Sequence, residues 1–169
     1  MLEYFRLKEV NEKDLENYSP RKVLIIKSCR IEQFFNSVNY FRNIFKDSLL
    51  SLLIHSNNND VIEVYKNDFE MILFPEGRFF KVSSDVAGIL RYLKNADFDL
   101  VVINSNNSAF AGYEDVVDFV FSFLKSGKVV AMLPSGEVFV VKREVVGLFY
   151  NAARYLKYLF FKLMLMMKS

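Results

Sequence analysis

The chain has 169 residues, a hydrophobic content of 52%, a formal net charge of +2 and a single cysteine. This length and composition predict one globular domain with a substantial core, and they exclude a disordered chain. A charge of +2 is too small to indicate nucleic-acid binding, and one cysteine with one histidine excludes a disulfide and the usual zinc sites. The N-terminus lacks the basic start and apolar core of a signal peptide, so we expect a cytoplasmic protein.

The first 45 residues predict an N-terminal arm and a strand–helix unit. Residues 1–20 mix charged and apolar side chains, which predicts an irregular or short helical arm that ends at Pro20. Residues 22–26 are typical of a strand buried on both faces, and residues 31–45 place apolar side chains at helical spacing. A strand followed at once by a packed helix opens a βαβ unit, so we expect a parallel sheet with right-handed crossovers.

The remainder of the domain alternates between strand and helix patterns. Strands are predicted at residues 48–56, 70–74, 99–104 and 128–133, a short helix or turn at 61–67, and helices from a cap at Ser84 or Asp85 and at 113–124. Gly127 predicts a left-handed helix cap, and residues 137–142 an antiparallel strand at the sheet edge. The two most continuously apolar runs, 22–27 and 99–104, should be adjacent at the centre of a mainly five-stranded parallel sheet. The predicted fold is a three-layer, Rossmann-like α/β domain over residues 21–143.

Residues 144–169 predict a long amphipathic helix after this domain. Arg154, Lys157 and Lys162 gather on one face, and apolar side chains cover the opposite, wider face. The longest uncharged run, residues 145–153, is far shorter than the roughly 18–20 residues of a membrane-spanning helix. We therefore expect a peripheral position on the inner face of a membrane, with the three cations at anionic headgroups. Burial of the same apolar face against a partner helix or a second copy of the chain is the alternative.

The carboxyl ends of the two central strands predict a ligand site, because ligands bind there in open parallel sheets. The predicted binding residues are Ser28, Cys29, Arg30, Asn104, Ser105, Asn106 and Asn107. Free backbone amides and short polar side chains at the start of the first helix would hold a hydroxylated or anionic ligand. The alternative is that Asn and Ser merely supply turn geometry. Lys27, Arg30 and the helix N-terminus predict a lowered pKa for Cys29.

Several kinds of site are excluded by their missing motifs. The chain contains neither GxxxxGK[ST] nor a GxGxxG after the first strand, so we expect no bound nucleotide cofactor of those classes and no other cofactor. A phospho-receiver domain needs an acidic pair after its first strand, where this chain has Lys27, Ser28 and Cys29. The only histidine, His55, lies in a predicted strand, which argues against a Ser-His-Asp triad.

Three stretches carry a resemblance to a known family. They are VLIIKSCRIEQFFNSVNYFRNIF, SLLIHSNNNDVIEVYKNDFEMILFP and LRYLKNADFDLVVINSNN, which follow one another along residues 22–142. Together they resemble the N-terminal, acceptor-side half of the heptosyltransferase-type GT-B glycosyltransferases. In that family the first turn continues Ile-Gly-Asp, and the Asp is the proposed general base. Here the corresponding residues are Ile31, Glu32 and Gln33, and glutamine cannot accept the proton.

The resemblance implies a role in glycan chemistry without catalysis by this chain alone. The family's second Rossmann-like domain, which binds the sugar nucleotide, has no counterpart in the sequence. We therefore expect a stand-alone, membrane-associated accessory of cell-surface glycan or glycolipid synthesis, whose partner is a separate glycosyltransferase subunit. The alternatives are a nucleotide-sensing or protein-interaction module, and a small glycan-active enzyme that uses Glu32 or the loop at residues 104–108.

Overall fold

The computed structural model describes residues 5–76 and 86–143, and within them strands and helices alternate as an α/β protein. The elements are β1 (Phe5–Val10), α1 (Glu12–Glu16), β2 (Lys22–Ile26), α2 (Ile31–Ile44), β3 (Leu49–His55), α3 (Asn59–Tyr65), β4 (Glu70–Phe74), α4 (Ala87–Asn95), β5 (Phe98–Asn104), α5 (Glu114–Phe123), β6 (Ser126–Met132) and β7 (Val138–Arg143). The predicted cap at Ser84 or Asp85 and the predicted C-terminal helix with Arg154, Lys157 and Lys162 lie outside the described residues.

All described strands form one sheet, in the order β1-β7-β6-β5-β2-β3-β4. The five strands from β4 to β6 in this order are parallel, as predicted. β2 and β5 are adjacent, with Val23 opposite Leu100 and Ile26 opposite Ile103, and they occupy the interior of the sheet. The prediction that the two most apolar strands are central neighbours is therefore confirmed, because strands covered on both faces must be apolar on both sides.

The antiparallel end of the sheet differs in part from the prediction. β7 pairs antiparallel with β6 as expected, but β1 pairs antiparallel with β7 and takes the edge position. The expectation of an irregular or short helical arm was therefore wrong for Phe5–Val10, which is a strand. Arg6, Lys8 and Glu9 are exposed on it, and charged side chains of this kind are common on edge strands. These charged residues alternate with Leu7 and Val10 over too few positions for the sequence pattern to indicate a strand.

Helices cover both faces of the sheet and give the three predicted layers. Along each buried strand, successive side chains enter opposite cores, so that Leu24 and Ile26 face one side while Val23 and Ile25 face the other. The first side is covered by α4 and α5, and the second by α1, α2 and α3. Within the described residues, no helix has the length and apolar character needed to cross a membrane.

Gly127 lies inside β6 and does not cap a helix, so that prediction was wrong. Positive φ angles among the described glycines occur at Gly112 and Gly136. At Gly127 the constraint is close approach, since a Cβ atom there would lie 2.9 Å from the Asp99 carbonyl oxygen and 3.1 Å from the Tyr18 hydroxyl. That hydroxyl donates to the same carbonyl at 2.7 Å. Glycine is therefore required by packing at this position.

Replacement of Gly127 by alanine should lower the free energy of unfolding by roughly 1–2 kcal/mol, because the backbone of Asp99 would have to shift. Urea denaturation followed by circular dichroism measures the change. Gly88→Ala is the control, since a Cβ at this helical position meets nothing within 4 Å and should stabilise the protein by up to about 1 kcal/mol. Equal effects of the two substitutions would contradict the packing explanation.

Candidate functional site

The strand order reverses between β2 and β5, and this switch point is where the predicted binding residues lie. From β2 the chain continues to β3 on one side, and from β5 it continues to β6 on the other. The crevice outside the carboxyl ends at such a point is the usual ligand position in open α/β sheets. We use the name switch-point site for Ser28, Cys29, Arg30, Asn104, Ser105, Asn106 and Asn107.

Hydrogen bonds bring the two halves of the switch-point site together. The Ser28 hydroxyl donates to the Asn104 carbonyl oxygen at 2.6 Å, and the Asn104 side-chain amide donates to the Ile26 carbonyl oxygen at 3.1 Å. The backbone N–H of Arg30 donates to Asn106 Oδ1 at 2.7 Å. Residues about 76 positions apart in sequence therefore form one polar cluster, as their places after adjacent strands predicted. Their role in binding stays a prediction.

Two further residues hold this cluster, and sequence reasoning assigned this role to neither of them. The Tyr113 hydroxyl donates to the Ser28 carbonyl oxygen at 2.9 Å and accepts the N–H of Asn106 at 2.6 Å. The Gln33 side-chain amide donates to the Ser105 carbonyl oxygen. Gln33 could have been suspected, because it lies on the first turn of α2. Tyr113 could not, because its contact depends on how the loop after β5 folds back.

The start of α2 is joined to the neighbouring loop. Arg30 is the N-cap residue, but its side chain makes no capping hydrogen bond, and its own backbone N–H donates to Asn106 Oδ1. Beside it, Asn104 is fully buried, and its side-chain oxygen Oδ1 accepts no hydrogen bond from the described residues. A buried carboxamide oxygen without a donor is costly. A ligand that brings an O–H or N–H group to Asn104 would remove that cost.

Part of the cluster also serves turn geometry, as the alternative explanation proposed. The Asn107 side chain bridges the loop, since it accepts from the Ala111 N–H and donates to the Ala111 carbonyl oxygen, both at 3.0 Å. The Ser105 hydroxyl donates to the Asn107 carbonyl oxygen at 2.8 Å. Phe110, fully buried at a φ of 54°, stacks on Tyr113. The loop is therefore ordered by its own polar side chains, which leaves Ser28, Arg30 and Asn104 as the main candidates for binding.

The expectation of a lowered pKa for Cys29 was wrong. Burial raises the pKa of the Cys29 thiol to about 12, and the nearby Lys27 ammonium opposes this only weakly. Burial also lowers the pKa of Lys27, whose ammonium group donates to the Cys29 carbonyl oxygen at 3.2 Å. The side chain of Cys29 packs among apolar residues of the α2 side of the sheet. Desolvation of the thiolate therefore outweighs the helix N-terminus and the neighbouring cations.

We expect Cys29 to resist iodoacetamide at pH 8 in the folded protein and to react rapidly in urea, because the thiolate is the reactive form. Burial raises the pKa values of both Cys29 and Tyr113, so the folded state holds these protons more tightly than the unfolded state. The stability that they contribute is present below pH 9 and is lost as the pH rises towards 12. Mass spectrometry of the alkylated protein and urea titrations between pH 7 and 10.5 measure the two effects. Rapid labelling without urea would contradict the burial of the thiol.

Two further titratable side chains are not among the residues of the switch-point site. His55 Nδ1 is 3.0 Å from the Pro75 carbonyl oxygen, at the end of β3, and Glu32 is exposed on the first turn of α2. Among residues 5–76 and 86–143, no group of three His, Cys, Asp or Glu side chains could hold a metal ion. The polar chemistry near the switch point is therefore that of hydroxyl, amide, guanidinium and ammonium groups.

A separate cavity of about 670 Å³ opens at the amino ends of β2, β3 and β4. Three of its charged side chains, those of Glu70, Arg42 and Asp68, already have partners. The Glu70 carboxylate accepts from the Ser51 hydroxyl at 2.6 Å and from the Tyr92 hydroxyl, and Arg42 lies 3.4 Å from the Asp68 carboxylate. A ligand would have to compete with these contacts, so the cavity is a weaker candidate than the switch-point site.

Comparison with known proteins does not assign the chain to a family. No protein-family model matches it, and no curated protein or solved structure matches it significantly. The Rossmann-like description therefore rests on the sheet order and the crossovers. A fold of this kind hosts many functions, so the function must be argued from the site.

Proposed function

We propose that this protein is a Rossmann-like binding module that holds a small hydroxylated ligand at the switch-point site. In line with the resemblance to acceptor-side glycosyltransferase halves, its ligand would be a saccharide, and its role that of a non-catalytic accessory in glycan or glycolipid synthesis. One observation carries the proposal. The predicted polar residues converge at the strand-order reversal around the buried Oδ1 atom of Asn104, which accepts no hydrogen bond from the part of the chain that the structure describes.

A saccharide fits the chemistry of this cluster because its hydroxyl groups both donate and accept hydrogen bonds. Asn104 offers an acceptor that has no donor among the described residues, and the first turn of α2 offers backbone amides at the positive end of a helix of 14 residues. The exposed guanidinium of Arg30 stands at the same end and would pair with a phosphate or carboxylate on the sugar. Ligand entry would displace the Tyr113 and Asn106 contacts that close the loop over the turn.

Binding is favoured over catalysis because the groups that could transfer a proton are badly placed. Gln33, at the position of the family's general base, is tied to the Ser105 carbonyl oxygen. Cys29 stays protonated because burial raises its pKa to about 12. Glu32 is exposed one residue earlier, about 100° around the helix. It remains the candidate base of the alternative in which the chain is a small glycan-active enzyme.

Isothermal titration with four ligand classes tests the proposal: neutral oligosaccharides, sugar phosphates, sugar nucleotides and free nucleotides. We expect binding of the first two classes, a loss of roughly tenfold or more in Ser28→Ala and Arg30→Ala, and no change in the control Arg42→Ala at the opposite end of the sheet. Unchanged affinity in Arg30→Ala would remove this residue from the site. Binding of nucleotides alone would favour the nucleotide-sensing alternative, and turnover of any saccharide would favour the enzyme.

Peripheral membrane attachment through Arg154, Lys157 and Lys162 belongs to the same proposal and has its own test. The 169-residue chain should sediment with vesicles that contain anionic lipid and not with zwitterionic vesicles. Conversion of the three cations to glutamine should abolish the sedimentation. A matched variant with glutamine at the exposed Lys13, Lys66 and Lys94 has the same net charge and should still bind. Equal binding by both variants would contradict a specific role of residues 144–169.

A further inference from the structure

Lys27 directly precedes the residues of the switch-point site, and its side chain reaches the turn that they form. Its ammonium group donates to the Cys29 carbonyl oxygen at 3.2 Å, so the positive charge lies beside this turn. The backbone N–H of Lys27 donates to the Leu53 carbonyl oxygen at 2.9 Å, which holds the residue against β3. The cation therefore lies at the carboxyl edge of the parallel sheet, where ligands of open α/β sheets bind.

The groups around this ammonium are neutral. Burial raises the pKa of the Cys29 thiol to about 12, so this neighbour stays protonated at neutral pH. Burial also raises the pKa of Tyr113, whose hydroxyl bonds to the same turn. Among the described residues, no carboxylate forms an ion pair with Lys27. Glu32, the nearest acid in the sequence, is exposed on the first turn of α2.

The position of Lys27 lowers stability unless another group compensates the charge. Lys27 is half-buried, and this burial lowers its pKa, since the charged form loses hydration. An ammonium group has three N–H donors, and the Cys29 carbonyl oxygen accepts one of them. Lys22, at the other end of β2, also donates to one carbonyl oxygen, that of Ala96 at 3.1 Å. Lys22 is exposed, however, so bulk water can solvate its charge.

We propose that the Lys27 ammonium is the counter-charge for an anionic group of the ligand, so that the switch-point site takes a phosphorylated or acidic saccharide in preference to a neutral one. This inference rests on the proposed function for the saccharide and on Lys27 for the charge. The exposed guanidinium of Arg30, three residues later, would bind the same anionic group. The buried Oδ1 atom of Asn104, which accepts no hydrogen bond from the described part of the chain, would receive a sugar hydroxyl.

The stability of Lys27→Met separates this role from a structural one. A lysine that serves only to hold the turn would destabilise the protein when it is replaced. A counter-charge for a ligand costs stability in the free protein, so the Tm of Lys27→Met should be equal to that of the wild type or higher by up to about 5 °C. Lys22→Met is the matched control and should change the Tm by less than about 2 °C. A lower Tm in Lys27→Met together with unchanged anion binding would assign Lys27 to the turn and overturn the inference.

Inorganic phosphate tests the counter-charge without a saccharide. Phosphate is titrated into the 169-residue chain, and the amide signals of residues 28–33 are followed by NMR, with sodium chloride at matched ionic strength as the reference. We expect saturable shifts in the wild type and in Lys22→Met, and a Kd raised roughly tenfold or more in Lys27→Met. Lys27→Arg keeps the charge and should recover most of the affinity. Equal phosphate affinity in Lys22→Met and Lys27→Met, or no response beyond that to chloride, would overturn the inference.

Isothermal titration with glucose, glucose 6-phosphate and glucuronate tests the preference itself. At least one of the two acidic sugars should bind roughly tenfold more tightly than glucose, and Lys27→Met should reduce this preference to about threefold or less without a change for glucose. The acidic sugar that is preferred identifies the anionic group. Equal affinity for all three sugars would overturn the inference and leave the proposed function standing. Phosphate binding that depends on Lys27, without binding of any sugar, would support the role of Lys27 and count against a saccharide ligand.

Discussion

Replacement of Phe41 by alanine should lower the free energy of unfolding by about 3–5 kcal/mol, the largest effect that we expect from a single truncation here. Phe41 is fully buried between α2 and the sheet. Its ring meets Tyr40 at 5.1 Å and Phe45 at 6.0 Å between centroids. Removal of the ring loses this apolar contact and leaves a cavity that the close-packed surroundings fill only in part. Because α2 carries Arg30 and Gln33 to the switch-point site, its docking also supports that site.

Equilibrium unfolding in urea measures this loss, provided that the variant retains the slope of the wild-type transition. Asn39→Ala is the control, because Asn39 lies on the exposed side of the same helix and its replacement should change stability by no more than about 0.5 kcal/mol. If the two variants were equally stable, the apolar face of α2 would not be part of the core.

Tyr113→Phe should cost about 2–3 kcal/mol, although it removes only one oxygen atom. The hydroxyl joins the Ser28 carbonyl oxygen to the Asn106 N–H, so its loss leaves two backbone groups of the site without their partner. Tyr113 is only 6% exposed, and this burial raises the pKa of its phenol. The substitution should therefore loosen the loop after β5 from the turn after β2.

Hydrogen exchange at the Asn106 and Arg30 amides, together with urea titration, measures both consequences. Tyr92→Phe is the matched control, because the Tyr92 hydroxyl bonds Glu70 but its side chain is 42% exposed. Its loss should cost less than about 1 kcal/mol and leave exchange at Asn106 unchanged. Faster exchange at both amides in Tyr113→Phe alone is the expected pattern. Identical exchange in the two variants would show that Tyr113 does not hold the loop.

Local patterns in the sequence were sufficient for most of the parallel sheet. The predicted strand at residues 70–74 coincides with β4, and the predicted run at 99–104 lies within β5. These segments are predictable because a strand covered on both faces must be apolar throughout, whereas an amphipathic helix must repeat every 3.6 residues. The place of the polar turns at one edge also follows, since the carboxyl ends of adjacent parallel strands meet there.

Interactions between distant residues decided the remainder. β1 is a strand because β7 offers it a hydrogen-bonding edge. Its own sequence mixes charged and apolar residues, so it does not by itself predict a strand. Gly127 is required by the Asp99 backbone 28 residues away, and the pKa of Cys29 is raised by a core that the turn sequence does not reveal. Tyr113 reaches Ser28 only because the loop after β5 folds back over α2. Each of these features depends on desolvation or close approach between segments, which the three-dimensional packing alone determines.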